Sequence, residues 1–252
     1  ELIEPMLRPQ GCDRAKVAKV VSYIVHSNWK LVWENNRECY HCNRNHPQYI
    51  KANYDHYNDD DTSPELMQKI ADKSQRSDAE WGRHGLAITH RSSGMAPFPH
   101  AGNDGWFTIN RTPLADGYIS ETMDGQQVAP LMGDYTDNSV GTLRLRTVPN
   151  MWCHASCDHV VSTRLLPIDK FTTEVRVIWL VDEKAEEGKD YDLEKVMPFW
   201  QLTSEQDWTL CEAAQLGVQS SGYQPGPYST HKEYNVERFV RWYLNQLKKG
   251  AE

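Results

Sequence analysis

The stretch Asn28-Trp-Lys-Leu-Val-Trp-Glu-Asn-Asn-Arg-Glu-Cys-Tyr-His-Cys-Asn-Arg-Asn-His-Pro47 places a carboxylate, Glu38, three residues before His41 and a second histidine, His46, five residues further on. We expect a helix from about Trp29 to Asn45. Because a helix turns about 100° per residue, one of its faces would carry Glu34, Glu38, His41 and Asn45. Pro47 disfavours helical geometry at the preceding residue, so the chain can turn there and bring the second imidazole back.

Two imidazoles from one helix and its end supply half or more of a metal site. A carboxylate from elsewhere would complete a two-histidine, one-carboxylate face with open positions, which suits Fe(II) and dioxygen. The pattern His-x4-His is loose, however, and histidines near a helix end are also common as surface or capping residues. The pair Cys39-x2-Cys42 has no second Cys or His pair at zinc-finger spacing, so we expect reduced thiols in a cytoplasmic protein.

Composition narrows the class of protein. The chain has 252 residues, enough for one large domain, with a formal charge of -8 that argues against nucleic acid or an anionic membrane as the main partner. The sequence contains neither an apolar run of the ~20 residues that cross a membrane nor a signal-peptide pattern. Its start at Glu1 indicates a piece of a longer chain, or a processed one.

The first half of the chain mixes helix and irregular structure. We expect a linker or domain edge over residues 1–12, a strand from Val17 to Val25, and a short helix from Pro64 to about Ser74. Asp59-Asp-Asp61 fits a solvated turn rather than a calcium loop. The Gly/Pro-rich loop Arg91–His100 is of a kind that often borders a site.

The section from Gly105 to Val181 is dominated by strands. The expected strands are Trp106–Thr112, Tyr118–Met123, Thr142–Val148, Met151–Ala155, His159–Leu166 and Thr172–Val181. Alternation in Arg144-Leu-Arg and Glu174-Val-Arg-Val-Ile-Trp predicts one solvated face, and the lack of strand–helix alternation favours an antiparallel sheet.

Helical patterns return after Gly188. They predict helices at Asp192–Trp200, at Ser204–Leu216 with Gly217 as the stop, and at Val236–Lys248. The order of strand, helix, excursion, sheet and helices predicts an α+β domain, an antiparallel sheet covered by helices.

The helix predicted at Ser204 could contain the third ligand. Local sequence favours a capping role, because Ser204 is a plausible N-cap and Asp207 stands where a capping-box acid would. Glu205 and Glu212 are further carboxylates within reach on the same helix. A second dense cluster, Cys153-His-Ala-Ser-Cys-Asp-His159, also contains possible ligands.

The amino-acid sequences of two segments resemble those of a known family. Asn28-Trp-Lys, Glu34-Asn, Glu38-Cys-Tyr-His-Cys and His46-Pro resemble the catalytic domain of Rieske non-haem iron oxygenases, above all the branch that oxidises quaternary ammonium compounds such as glycine betaine, choline, carnitine and stachydrine. Gln206-Asp-Trp-x-Leu-x-Glu-x-x-Gln-x-Gly-Val218 resembles the late helix whose aspartate binds the iron. The resemblance implies a helix-grip fold (START/Bet v1-like), with mononuclear Fe(II) held by His41, His46 and Asp207.

Further expectations follow from the resemblance. Glu38 matches the carboxylate that links the iron to the Rieske cluster of a neighbouring subunit, which implies a homotrimer fed by NAD(P)H through a reductase. The [2Fe–2S] cluster itself needs Cys-x-His and Cys-x2-His, and this chain has no Cys-x2-His. We therefore interpret residues 1–252 as the catalytic domain, with the Rieske domain on a preceding segment or on another chain. Asp158 and His159 would border the pocket in a structural role.

The function expected is hydroxylation or N-demethylation of a quaternary ammonium or betaine-type substrate. Nine Trp and twelve Tyr could form walls for a cation, but the sequence does not identify the substrate-binding residues. Three alternatives stay open. They are an aromatic ring-hydroxylating oxygenase on the same scaffold, a catalytically silent helix-grip module that binds a small ligand, and a zinc hydrolase with the same three ligands.

Overall fold

A computed structural model describes residues 3–53, 63–88, 96–97, 106–230 and 232–250. The helices are α1 Glu4–Leu7, α2 Trp29–Glu38, α3 Cys42–Asn45, α4 Pro47–Ala52, α5 Pro64–Arg83, α6 Leu193–Val196, α7 Pro198–Gln219 and α8 Tyr234–Lys249, with a 3-10 turn at Cys12–Arg14. The strands are β1 Ala15–Val25, β2 Ala96–Pro97, β3 Trp106–Thr112, β4 Thr142–Thr147, β5 Met151–Ala155, β6 Val160–Asp169 and β7 Thr172–Asp182.

The strands form a single antiparallel sheet in the order β1-β7-β6-β5-β4-β3-β2. The first strand thus pairs with the last, and every other pair of neighbours in the sheet consists of strands that are consecutive in the chain. This arrangement confirms the predicted α+β class and its antiparallel sheet.

Helices cover one face of this sheet. Along β7, every second side chain is buried, as its alternating sequence predicts. These side chains pack against α2, α7 and α8, where the rings of Trp33 and Phe239 stack with centroids 3.9 Å apart. Each large apolar side chain buried in this way contributes about 1.5–3 kcal/mol. The buried members on β7 are Val175, Val177, Trp179 and Val181.

The opposite face of the sheet is also covered, which corrects one expectation. Met6 of α1 is buried against side chains of β3 and β4 such as Ile109 and Leu143, so the stretch expected to be a linker or domain edge contributes a side chain to the core. Because β4 is covered on both faces, Arg144 is only 3% exposed, and the solvated face predicted for this strand is wrong. For β7 the half-buried pattern is confirmed.

Other boundaries differ for local reasons. Residues 118–123 form bends and a turn instead of the predicted strand, because the amide of Ile119 donates to the carbonyl of Gly125 across a tight loop. Helix α5 runs past Ser74 to Arg83, where buried Trp81 anchors its last turn. The aspartate run at 59–61 lies outside the described residues, as does the loop 91–100 except for β2. Among the described residues, the structure has no helix long and apolar enough to cross a membrane.

Candidate metal centre

The histidine-bearing segment is not one helix, as the sequence suggested. Helix α2 ends at Glu38 because Cys39 takes a left-handed conformation (φ 51°), which stops helical hydrogen bonding. A disulfide joins Cys39 to Cys42 across this break, so the expectation of reduced thiols is wrong for this pair. The shared helix face predicted for Glu34, Glu38, His41 and Asn45 therefore does not exist.

The two histidines lie at the ends of a short helix. His41 immediately precedes α3, and His46 stands between α3 and α4 with non-helical angles (φ -122°, ψ 64°). Pro47 occupies the first turn of α4, where its missing amide hydrogen costs nothing. The predicted turn at His46 is thus confirmed, and it returns the second imidazole toward the first.

The carboxylate comes from the middle of α7. This helix begins at Pro198, six residues before Ser204, so Ser204 is a buried mid-helix residue and the capping interpretation of Asp207 is wrong. Gly217 likewise lies within α7, which continues to Gln219. The helix starts early because Pro198 favours the first turn and Phe199 is fully buried in the core.

Three ligand-type atoms converge on one point. Asp207 Oδ1 lies 3.0 Å from Nε2 of His41 and 2.9 Å from Nε2 of His46. Two ligands about 2.1 Å from an ion and about 90° apart as seen from it are themselves about 3.0 Å apart, so each of these two carboxylate–imidazole distances fits a pair of adjacent positions on an octahedral ion. The sulfur of Cys42 is 3.7 Å from His41 Nε2, but its disulfide prevents it from acting as a thiolate ligand.

The Nδ1 nitrogen of each imidazole, on the side away from the convergence point, also has a hydrogen-bond partner. His41 Nδ1 lies 2.8 Å from Glu38 Oε1, and His46 Nδ1 lies 2.7 Å from Gln206 Oε1. Gln206 is itself fixed by the amide of Gln48 at 3.0 Å. Hydrogen bonds from both Nδ1–H groups leave the two Nε2 lone pairs to face the ion, which is how carboxylates and amides commonly orient metal-binding histidines.

Charges at the centre favour a cation. Burial raises the pKa of Asp207, but hydrogen bonds and charges of His41 and His46 outweigh it and hold that pKa below its usual range. Burial lowers the pKa of His41, yet hydrogen bonds and charges of Asp207 and Glu38 raise it to about 9. The carboxylate-rich surroundings that stabilise imidazolium would equally stabilise a bound metal ion.

A pocket of about 910 Å³, counted with its open mouth, adjoins the three ligand-type residues. Tyr49 and Trp200 line it on the helix side. On the sheet side, the register sets Asn110, Arg144 and His154 side by side across β3, β4 and β5. The full lining of the sheet side comprises Thr108, Asn110, Arg144, Arg146 and His154.

The other sequence candidates lie elsewhere. Exposed Glu205 accepts a hydrogen bond from Gln201, and Glu212 accepts one from the amide of His26. Asp158 and His159 are buried outside the lining of this pocket, with Asp158 bonded to Ser120 and to the amide of Val128. Sequence reasoning missed the pocket-facing arginines, although their alternation with leucine on β4 was visible.

The chain belongs to the family of ring-hydroxylating alpha subunits, and the match to the catalytic domain of that family covers residues 12–249. It is 37% identical to the glycine betaine monooxygenase oxygenase subunit of Pseudomonas aeruginosa over 97% of this chain and 54% of that protein. The corresponding subunit of Chromohalobacter salexigens is also 37% identical, over 97% of this chain and 53% of that protein. The chain therefore spans about half the length of these curated relatives.

The fold is shared with solved oxygenases. A quaternary ammonium Rieske monooxygenase studied for carnitine oxidation superimposes with a TM-score of 0.54 at 13% identity, over 93% of this chain and 51% of that chain. The apo form of a quaternary ammonium Rieske monooxygenase gives a TM-score of 0.50 at 14% identity, over 92% of this chain and 48% of that chain. The match at this low identity concerns the fold.

Proposed function

We propose that this chain is the mononuclear iron domain of a Rieske-type oxygenase that hydroxylates or N-demethylates a quaternary ammonium or betaine-type substrate. The observation that carries the proposal is that two imidazole Nε2 atoms each lie within 3.0 Å of one carboxylate oxygen, beside an open pocket. Similarity to glycine betaine monooxygenase subunits over 97% of this chain supports the substrate class.

His41, His46 and Asp207 would hold Fe(II), whose open positions supply the dioxygen chemistry. The overall step consumes dioxygen, two electrons and two protons. It converts an N-methyl group to N-hydroxymethyl and forms water. Loss of formaldehyde from the N-hydroxymethyl group then breaks the carbon–nitrogen bond, leaves the nitrogen pair on a tertiary amine and releases a proton.

Glu38 is proposed as the bridge for electrons. Its carboxylate contacts His41 Nδ1 on one side and is 19% exposed, so part of it remains accessible to an electron donor. Electrons would arrive from a [2Fe–2S] Rieske cluster on another domain or on the neighbouring subunit of a homotrimer. We propose that NAD(P)H supplies these electrons through a cytoplasmic reductase.

The pocket suits a small cation better than an apolar aromatic ring. Tyr49 and Trp200 meet edge to face, with ring centroids 5.9 Å apart, and an ammonium over such rings gains about 0.5–2 kcal/mol. The opposite wall is polar, since it is formed by threonine, asparagine, arginine and histidine side chains. An aromatic hydrocarbon would leave those groups desolvated and unpaired, which disfavours the ring-hydroxylating alternative.

The test combines metal content with product formation. We expect about one iron per chain after anaerobic Fe(II) loading, and formaldehyde release from an N-methylated betaine when dioxygen and an electron donor are present. Asp207→Ala should lose both, whereas Glu205→Ala, which removes an exposed carboxylate two residues away, should lose neither.

Each contrary result points to a different class. A wild-type chain that takes no iron under these conditions would be a small-ligand binding module. A chain that takes zinc in preference and turns over without dioxygen would be a hydrolase. Full iron in Asp207→Ala would assign the carboxylate role to another residue.

A further inference from the structure

Arg37, in the last turn of α2, is a buried cation that lines the pocket. The residue is 8% exposed, and none of its three guanidinium nitrogens has a hydrogen-bond partner in the described part of the chain. Its guanidinium lies over the ring of Trp33 at 4.5 Å and near that of Trp152 at 6.0 Å. Aromatic faces attract a cation but accept none of its hydrogen bonds, so the five N–H donors remain unsatisfied.

A guanidinium in this state is unfavourable without a ligand. Burial, together with the nearby charge of Arg146, holds the pKa of Arg37 well below its usual range. Proteins seldom bury an arginine without a carboxylate or another acceptor, because the charge loses its hydration and gains nothing in exchange. The described pocket acids, Glu38 and Asp207, are already bonded to the two imidazoles.

The surrounding wall is also prepared for an anion. Arg146 stands next to Thr108 across the β3–β4 pair, and both line the same pocket as Arg37. Arg144, two register positions along on the same face of β4, donates a hydrogen bond to Asn53 Oδ1 at 2.6 Å. The pocket therefore carries negative charge on one side, from the carboxylates at the metal centre, and positive charge on the other, from the guanidinium groups near the sheet.

We propose that Arg37 binds the carboxylate of a zwitterionic substrate, and so selects quaternary ammonium carboxylates over quaternary ammonium alcohols. This assignment rests on the proposed function and adds to it a specificity-determining residue. The planar fork of arginine suits a carboxylate because two parallel N–H···O bonds can form at once. Substrate binding would supply the missing counter-charge, while the ammonium end remains free to meet the aromatic rings.

A matched pair of ligands tests the proposal. Glycine betaine and choline share the trimethylammonium group and differ in carboxylate against alcohol. Binding is measured by calorimetry to the Fe(II)-loaded protein, without dioxygen or reductant so that no turnover occurs. We expect Arg37→Gln to weaken glycine betaine binding by about 10- to 100-fold and choline binding by less than about twofold. Arg37→Lys should recover part of the loss, because it keeps the charge but not the fork.

Thermal unfolding separates this role from a structural one. Arg37→Met, which replaces an unpaired buried charge with an apolar side chain, should melt at the same temperature as the wild type or higher without ligand. It should lose the upward shift that glycine betaine gives the wild type. Arg176→Gln, on the exposed side of β7, is the matched control and should keep that shift.

Each other outcome overturns part of the argument. If Arg37→Gln weakened the binding of both ligands equally, or if Arg37→Met without ligand melted at a lower temperature than the wild type, Arg37 would be a packing residue. Unchanged glycine betaine binding in every Arg37 variant would refute the assignment and leave the proposed function standing. If the iron-loaded wild type binds neither ligand, the quaternary ammonium substrate class fails and this proposal fails with it.

Discussion

Asp207 meets two histidines beside a pocket, whereas Asp158 meets His159 inside the packed protein. The second carboxylate is saturated by its own neighbours. Its Oδ1 accepts from Ser120 at 2.6 Å and lies 2.8 Å from His159 Nδ1, and its Oδ2 accepts the amide of Val128 at 2.7 Å. The oxygen of Asp207 instead faces two nitrogens that could each bind the same ion.

The difference shows what separates a candidate ligand set from a structural cluster with the same residue types. A metal site needs donor atoms that converge on a point and remain open to a ligand. A structural cluster needs every donor paired with an acceptor. Composition does not distinguish the two, because both contain histidine and aspartate.

The largest expected effect comes from exchanging each aspartate for its amide. Asp207→Asn removes the negative charge at the convergence point, so we expect iron content to fall from about one per chain to below about 0.1. Asp158→Asn should keep its iron and lose about 3 kcal/mol of stability, because a buried charge-assisted pair is broken. Metal analysis and urea unfolding of the same preparations measure both. Loss of iron in Asp158→Asn with its fold intact would contradict the separation of the two clusters.

Glu38→Gln should give the next effect. The glutamine can still accept a hydrogen bond from His41 Nδ1, so iron should stay within about twofold, while turnover should fall by about 10- to 100-fold as the charged bridge is lost. Iron content and donor-dependent formaldehyde release separate the two quantities. Glu34→Gln, one turn earlier on α2, is the control and should turn over normally. Equal losses of iron and turnover in Glu38→Gln would reduce Glu38 to a metal-orienting residue.

Gln206→Ala should have a smaller effect on the metal. Without its oxygen, His46 Nδ1 loses a partner at 2.7 Å, and Fe(II) affinity should drop by about tenfold. A competition titration with a chelator measures this change. Gln201→Ala, which removes a side chain bonded to exposed Glu205 on the same helix, should leave the affinity unchanged. Identical affinities in both variants would show that His46 is oriented by packing alone.

The smallest expected effect concerns acid stability. Burial lowers the pKa of His154 to about 4, so the folded protein holds this imidazole neutral. The stability that the neutral His154 contributes is fully present above the pKa of the unfolded state, near 6.5. It is lost as the pH falls from there through about 4. His154→Gln cannot take up that proton, so its free energy of unfolding should fall about 1–2 kcal/mol less than that of the wild type between pH 6.5 and 4. His26→Gln, an exposed control, should follow the wild type, and parallel curves for all three would contradict the assignment.

The sheet was predictable from sequence, while the metal centre was not predictable from spacing. Alternation located β3, β5, β6 and β7 because each strand carries its own period-two pattern. His46 and Asp207 are 161 residues apart, and no local pattern encodes such a contact. Resemblance to a family suggested the pair, whereas helical periodicity placed His41 on a helix face that the left-handed Cys39 removes.

Alternation also misled at β4 for a physical reason. A strand that faces a polar pocket carries the same polar and apolar alternation as a strand that faces water. Arg144 therefore looked solvated and is in fact buried. The two kinds of strand can be told apart only by knowing what covers the sheet, and that depends on residues far away in the sequence.

Helix α7 is attached at three positions along its length. Asp207 contributes to the metal centre, while Glu212 accepts the amide of His26 and Gln215 accepts the amide of Asn28, just before α2. One residue inserted between Asp207 and Glu212 would rotate everything beyond it by about 100° and advance it by about 1.5 Å. The three contacts thus fix the number of residues between these side chains. We therefore expect α7 to tolerate substitutions far better than any change of length.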